Sequence, residues 1–161
     1  MIIRDATPAD FTSILQLNEE SVHFLSPLTA EKLERLHQQA AYHRVIEQDG
    51  KVAAFLLVFH EGTNYDSQNY LWFGCHYDRF LYIDRVVVSL VCQGQKLGNR
   101  LYEDLFAFAK ENNFPRITCE FDIDPPNEVS RRFHQRFGFR EVGTQHVTYA
   151  NKQVSMQTVE I

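Results

Sequence analysis

The chain has 161 residues, 44% of them apolar, including thirteen Phe and seven Tyr. That is enough for one packed domain over residues 1–161 and excludes a disordered segment. The formal net charge of −5 comes without a basic cluster, which argues against a nucleic-acid partner and is compatible with a cationic amine as ligand.

Residues 1–5 read as a first strand. Thr7-Pro8-Ala9-Asp10 starts a helix, with Thr7 as N-cap, Pro8 at the first position and Asp10 three residues past the cap. Ile14 and Leu17 then recur at helical spacing. Thr29 begins a second helix with Leu33 and Leu36 on its buried stripe. Residues 42–48 and 51–60 flank Asp49-Gly50, a hairpin signal because both turn positions need positive φ. Residues 61–79 form a polar and aromatic connection without a clear period. A buried strand follows over 81–88. The loop Gln93-Gly94-Gln95-Lys96-Leu97-Gly98 then opens into a helix from Asn99 to about residue 112. Leu97, Leu101, Leu105 and Phe108 form the apolar stripe of that region. Residues 116–121 read as a strand, Asp124-Pro125-Pro126 as a breaker, and 127–137 as a helix stopped by Gly138. A terminal antiparallel pair spans 139–149 and 153–161. Helices grouped early and late around strands give an α/β (α+β) class. The expected architecture is a single three-layer α/β/α domain with a mixed, mostly antiparallel central sheet.

A loop that feeds a helix start exposes backbone N–H groups at the positive end of the helix dipole, a ready site for phosphate or pyrophosphate. Glycine at 94 and 98 lets the backbone approach a ligand closely. Val88 ends the preceding strand, Gln93, Gly94 and Gly98 punctuate the loop, and Asn127, Ser130, Phe133, Gly138 and Phe139 follow later. In order and separation these residues resemble the two signature segments of the GNAT superfamily of acyl-CoA-dependent N-acetyltransferases. The matching segments cover about a quarter of the chain, and the order of elements is similar to the GNAT fold throughout.

The resemblance implies acetyl-CoA as co-substrate. Its pyrophosphate would lie on the backbone of Gln93, Gly94, Gln95, Lys96, Leu97, Gly98 and Asn99. Its pantetheine arm would follow the backbone of Val86, Val87 and Val88, with Asn127 and Ser130 facing that arm. Lys96 stands where the family usually has glycine. The position needs no positive φ if the helix has already begun there, and the lysine could add a phosphate contact. His134 stands where the family commonly has the tyrosine proposed to protonate the departing thiolate. Histidine can donate a proton near neutral pH, or it can serve packing or hydrogen bonding.

Attack by an ammonium needs a base, and the developing oxyanion needs a donor. The backbone N–H of Val87 or Val88 could be that donor. Asp84 and Glu120 are the candidate base or substrate-binding carboxylates. Asp84 shares a strand face with Val86 and Val88, and its ordinary alternative is an ion pair with Arg85 or Arg79. Glu120 and Asp122 share a face, with Asp124 beyond, and their ordinary alternative is a solvated edge. Asn127, Ser130 and His134 share one helix face, and Val129, Phe133 and Phe137 occupy a neighbouring apolar face expected to pack on the sheet. Tyr65, Tyr70, Trp72, Phe73, Tyr77 and Phe80 crowd one segment, as an acceptor-pocket lid, a subunit contact or a cover for the sheet.

Other chemistries lack their signatures. His23, His37, His43, His60, His76, His134 and His146 show no metal-ligand spacing, so no metal is expected. No Gly-x-Ser-x-Gly elbow or phosphate-loop Lys-Ser/Thr pair occurs. Three unpatterned cysteines, with Cys119 read as buried packing, fit a reducing cytoplasm. The longest apolar runs, around 52–59 and 86–91, are too short to cross a bilayer, and residues 1–5 have no signal layout. The GNAT resemblance thus implies a cytoplasmic enzyme moving acetyl from acetyl-CoA to a primary amine by direct attack in a ternary complex. The alternative is a non-catalytic acyl-CoA-binding sensor or oligomeric scaffold. A homodimer would suit the fold by analogy, and segments 11–40 and 61–79 would shape the acceptor site.

Overall fold

A computed structural model of the chain describes residues 1–22 and 25–161, so His23 lies outside the described residues. Among the described residues seven strands form one sheet in the order β1-β2-β3-β4-β5-β7-β6. The chain divides into two compact units, Met1–Phe59 with Ile83–Phe108, and His60–Tyr82 with Ala109–Ile161.

In the first unit, β1 (Ile2–Asp5) pairs antiparallel with β2 (Tyr42–Gln48), which pairs antiparallel with β3 (Lys51–His60). The β2–β3 turn places Asp49 at φ 52° and Gly50 at φ 72°, the two positive angles that a tight hairpin requires. A short 3-10 turn, Pro8–Asp10, leads into α1 (Phe11–Glu20), and Asp10 Oδ2 accepts the Thr7 N–H at 2.8 Å. Arg4 donates to both Asp10 oxygens at 2.8 and 2.9 Å and holds that carboxyl down at about 2. Thr29 Oγ1 accepts from Lys32 N–H at 3.2 Å and starts α2 (Ala30–Gln39). Ile14, Leu17, Leu33, Val45, Phe55 and Val87 close one core. The strand β4 (Leu81–Val88) contributes Val87 to it, and α4 (Leu97–Glu111) buries Leu97, Leu101 and Leu105 as its periodicity requires. This helix begins two residues earlier than the sequence suggests, at Leu97 rather than Asn99.

The second unit holds α3 (Gln68–His76), a helix inside the segment that reads as an aperiodic connection. Its buried side consists of Asn69, Tyr70 and Phe73, and aromatic and amide residues carry little helical signature. Tyr70, Phe73 and Phe80 are fully buried and cover the sheet, with Tyr70 and Phe73 packing 5.5 and 5.9 Å from the Tyr82 ring. Tyr65, Trp72 and Tyr77 are half-buried. β5 (Arg116–Asp124) runs three residues past its expected end at Phe121, and pairs parallel with β4 at Leu81–Ile117 and Tyr82–Thr118. α5 (Glu128–Arg136) is followed by Gly138 at φ 85°. β7 (Lys152–Glu160) inserts between β5 and β6 (Arg140–Val147), antiparallel to both.

Val129 departs from expectation. It is 83% exposed and does not pack on the sheet, because it lies about 140° around α5 from the buried His134.

Two features of the packing have measurable consequences. A Cβ built on Gly143 would lie 2.6 Å from Trp72 Cζ2, so the indole occupies the space that a side chain would need. Gly143→Ala is expected to lower stability by about 1–3 kcal/mol, read as a fall in urea midpoint, and Trp72→Phe should recover part of that loss.

Each unit also buries a histidine, His43 in the first and His134 in the second, and desolvation lowers both to about 4 from 6.5. Below pH 6.5 the unfolded chain therefore binds more protons than the fold. Stability is retained above 6.5 and is lost as pH falls toward 4, at roughly 1.4 kcal/mol per pH unit per site. The slope of unfolding free energy against pH between 6 and 4.5 should be shallower in His134→Phe by about one proton's worth. An unchanged slope would remove His134 from the linkage.

Candidate active site

After Val88 the chain is tied down by the Ser89 N–H, which donates to Ala53 O at 2.8 Å. A 3-10 turn, Leu90–Cys92, leads to Gln93, then Gly94 at φ 82° and Lys96 at φ 61°. No protein atom lies within 4 Å of a Cβ built on Gly94, so within the protein it is the backbone angle that calls for glycine there. Lys96 O accepts the Arg100 N–H at 3.1 Å, so Lys96 is the residue that caps α4. The N–H groups of Leu97, Gly98 and Asn99 consequently have no intrahelical acceptor. Leu97 is buried and anchors the turn, while the Lys96 side chain is exposed. From the β2–β3 hairpin, Gln48 Nε2 donates to Gln95 Oε1 at 3.2 Å.

Lys96 thus corrects the sequence reading. The helix has not begun at this residue, and the lysine adopts the left-handed conformation that costs a side chain about 1–2 kcal/mol. The amides of the first turn, preceded in sequence by an exposed lysine, form a donor set whose chemistry fits a diphosphate. Along β4, Val87 faces the core while Val86 and Val88 are half-buried on the same face as Asp84.

Asp84 proves to be engaged by Arg85, with Nε 2.7 Å from Oδ2 and side-chain exposures of 5% and 2%. Arg85 also donates to Asn18 Oδ1 at 2.9 Å and to Ser26 Oγ at 3.2 Å. The ordinary alternative for Asp84 is therefore the one observed, with Arg85. Arg79 pairs elsewhere, with Glu61 at 3.2 Å.

Glu120 is placed differently. The Tyr82 hydroxyl donates to its Oε1 at 2.9 Å and Asn69 Nδ2 donates to the same oxygen at 3.1 Å. Gln145 Nε2 in turn donates to Asn69 Oδ1 at 2.8 Å. Tyr82 and Asn69 are buried, at 1% and 4% exposed. Two neutral donors converging on one oxygen favour the ionised form of a carboxylate. The solvated-edge alternative fails for Glu120 and for Asp122, which Lys152 bridges at 3.0 Å, while Asp124 is exposed.

Asn127 caps α5, its Oδ1 accepting the Ser130 N–H at 3.2 Å. Asn127, Ser130 and His134 do share a face. His134 Nδ1 lies 2.8 Å from Ser130 O and 3.2 Å from Ser130 Oγ. Its ring stacks on Phe121 and meets Phe133 and Phe139 edge-on. Burial holds it at about 4, so the imidazole is neutral near pH 7 and Nδ1 donates to the carbonyl. The Cys119 thiol is pushed up by complete burial and is not a nucleophile in waiting. Among the described residues no group of His, Cys, Asp and Glu could hold a metal ion. No helix among them is long and apolar enough to cross a membrane.

Asn69, Tyr82 and Gln145 are the polar residues that sequence reasoning passes over. One signal was available for Asn69. Ser67 is an N-cap residue type, followed by Tyr70 and Phe73 at helical spacing.

The acetyltransferase (GNAT) family model matches residues 9–139. Over 59 residues the chain is 41% identical to phosphinothricin N-acetyltransferase of Streptomyces coelicolor; the match covers 37% of this chain and only 33% of that protein. The structure is similar to that of ribosomal-protein-alanine N-acetyltransferase from Brucella melitensis, with a TM-score of 0.75, 19% identity and full coverage of both chains. It is also similar to yncA of Salmonella typhimurium, solved with its cofactor acetyl-CoA. That TM-score is 0.74 at 18% identity, over 99% of this chain and 93% of the other. At such identities the structures speak for the fold, and the family match speaks for descent: the chain belongs to the acetyltransferase (GNAT) family.

Proposed function

We propose that the protein is an N-acetyltransferase that moves an acetyl group from acetyl-CoA to a primary amine by direct attack in a ternary complex. The observation that carries this reading is the turn into α4. Left-handed Gly94 and Lys96 lead into a helix whose Leu97, Gly98 and Asn99 amides have no intrahelical acceptor and follow an exposed lysine in sequence, a donor set that suits a diphosphate. In this reading Gln93, Gly94, Gln95 and Lys96 complete the pyrophosphate site, and Val86, Val87 and Val88 offer backbone groups to the pantetheine arm. Acetyl-CoA supplies the activated acyl group.

The chain's own residues then have two tasks. Glu120 accepts the proton that the acceptor ammonium must lose before its nitrogen can attack. Asp84 is the poorer choice, because the Arg85 guanidinium 2.7 Å away neutralises it. The backbone N–H of Val87 or Val88 stabilises the charge that develops on the acyl oxygen. His134 supports the fold of α5 and gives no proton, since its neutral ring is enclosed by Phe121, Phe133 and Phe139.

The acceptor class is tested by mixing acetyl-CoA with a panel of amines and following release of the free thiol. The panel holds a polyamine, an aminoglycoside, phosphinothricin and a peptide with N-terminal alanine. Turnover of at least one is expected, and Glu120→Gln should lower kcat by about 10²–10⁴-fold, with His134→Phe nearly unchanged. Binding of acetyl-CoA without turnover across the panel would replace the enzyme by an acyl-CoA sensor.

Lys96 offers a second test. Lys96→Gly relieves the left-handed strain and should raise stability by about 1 kcal/mol, while titration calorimetry shows weaker CoA binding. Tighter or equal binding would take the ammonium out of the phosphate site.

A further inference from the structure

We infer that Asn69 is a positioning residue for Glu120, holding its carboxylate ionised and fixed, with Gln145 setting the orientation of the Asn69 amide. The inference rests on the reading of Glu120 as the base, and goes beyond it by assigning what prepares that base.

The polarity of the chain Gln145, Asn69, Glu120 has one consistent direction. An ionised carboxylate only accepts, so Asn69 must present Nδ2 to Glu120 Oε1, at 3.1 Å. Its Oδ1 is then left to accept, and Gln145 Nε2 supplies the proton at 2.8 Å. Reversing the Asn69 amide would set two acceptors against each other at a buried position.

Three adjacent attachments hold α3 so that this amide stays aimed. Gln68 Nε2 donates to His146 O at 3.0 Å, Asn69 takes its bond from Gln145, and Trp72 fills the space over Gly143. All three join one side of α3 to β6. The Tyr70 hydroxyl anchors the same helix, donating to His60 O and accepting from Thr63 N–H, both at 2.8 Å. A side chain ordered this thoroughly and 4% exposed contributes no solubility and little apolar packing; its bonds lead to the carboxylate.

Several groups on the neighbouring elements surround Glu120. Tyr82 on β4 donates to it, Cys119 precedes it on β5 with its thiol protonated, and Asp122 on β5 is bridged by Lys152 of β7. The residue opposite on β7 is Met156, while α3 and β6 bring the neutral amides of Asn69 and Gln145.

The test is a carboxyl-carbon NMR titration of protein labelled at glutamate, the Glu120 signal being assigned by its absence in Glu120→Gln. Asn69→Asp keeps the size of the side chain and the bond from Gln145, but replaces the donor by a carboxylate. It should raise the Glu120 titration midpoint by about one pH unit or more, and Asn69→Ala should raise it by a smaller amount. Asn69→Ala carries the test alone if Asn69→Asp fails to fold. A midpoint that moves in this way supports the assignment, and a midpoint unmoved in the folded variants overturns it. Either result is independent of the base reading, which the turnover of Glu120→Gln decides separately.

Discussion

The left-handed backbone at Lys96 is the constraint from which the candidate coenzyme site follows. Without it the chain could not turn from the Leu90–Cys92 segment into a helix that starts at Leu97. The helix cannot slide to relieve the strain, because Leu97, Leu101 and Leu105 are committed to the core at fixed spacing. Strain at one exposed residue is therefore sustained by burial of three others. A glycine would take the same conformation without steric strain, so the strain belongs to the lysine side chain.

A second constraint governs the other unit, where burial forces polar groups to find partners. Tyr82 and Asn69 would each be costly to bury unsatisfied, and both resolve the cost on Glu120 Oε1. Asp84 and Glu120 show how differently one functional group behaves with different partners. Asp84 is spent on Arg85, which clamps Asn18 and Ser26. Glu120 Oε1 accepts from an uncharged hydroxyl and an uncharged amide, Tyr82 and Asn69. The buried His134 makes the complementary point: placed among phenyl rings, an imidazole stays neutral and becomes part of the packing.

Much of the architecture was legible in the residues. The caps at Thr7, Thr29 and Asn127, the Asp49-Gly50 turn and the stop at Gly138 all appear where their local chemistry requires. Local signals failed at α3, whose buried face of Asn69, Tyr70 and Phe73 has no aliphatic stripe to betray it. They failed again at Val129, where an apolar residue near a helix start is simply exposed. At Lys96 the glycine pattern marked the loop, but the residue type concealed the conformation.

Local chemistry was enough for most of the elements, for the caps and turns that bound several of them, and for the family to which the loop and helix segments point, because capping, turn geometry and periodicity act within a few residues. Which partners each carboxylate finds is settled only once the chain is folded. The partners of Glu120 arrive from 38 and 51 residues away, and β7 lies between β5 and β6 although it follows both in the chain. The charge state of a buried side chain depends on what folding brings beside it, and no local pattern encodes that.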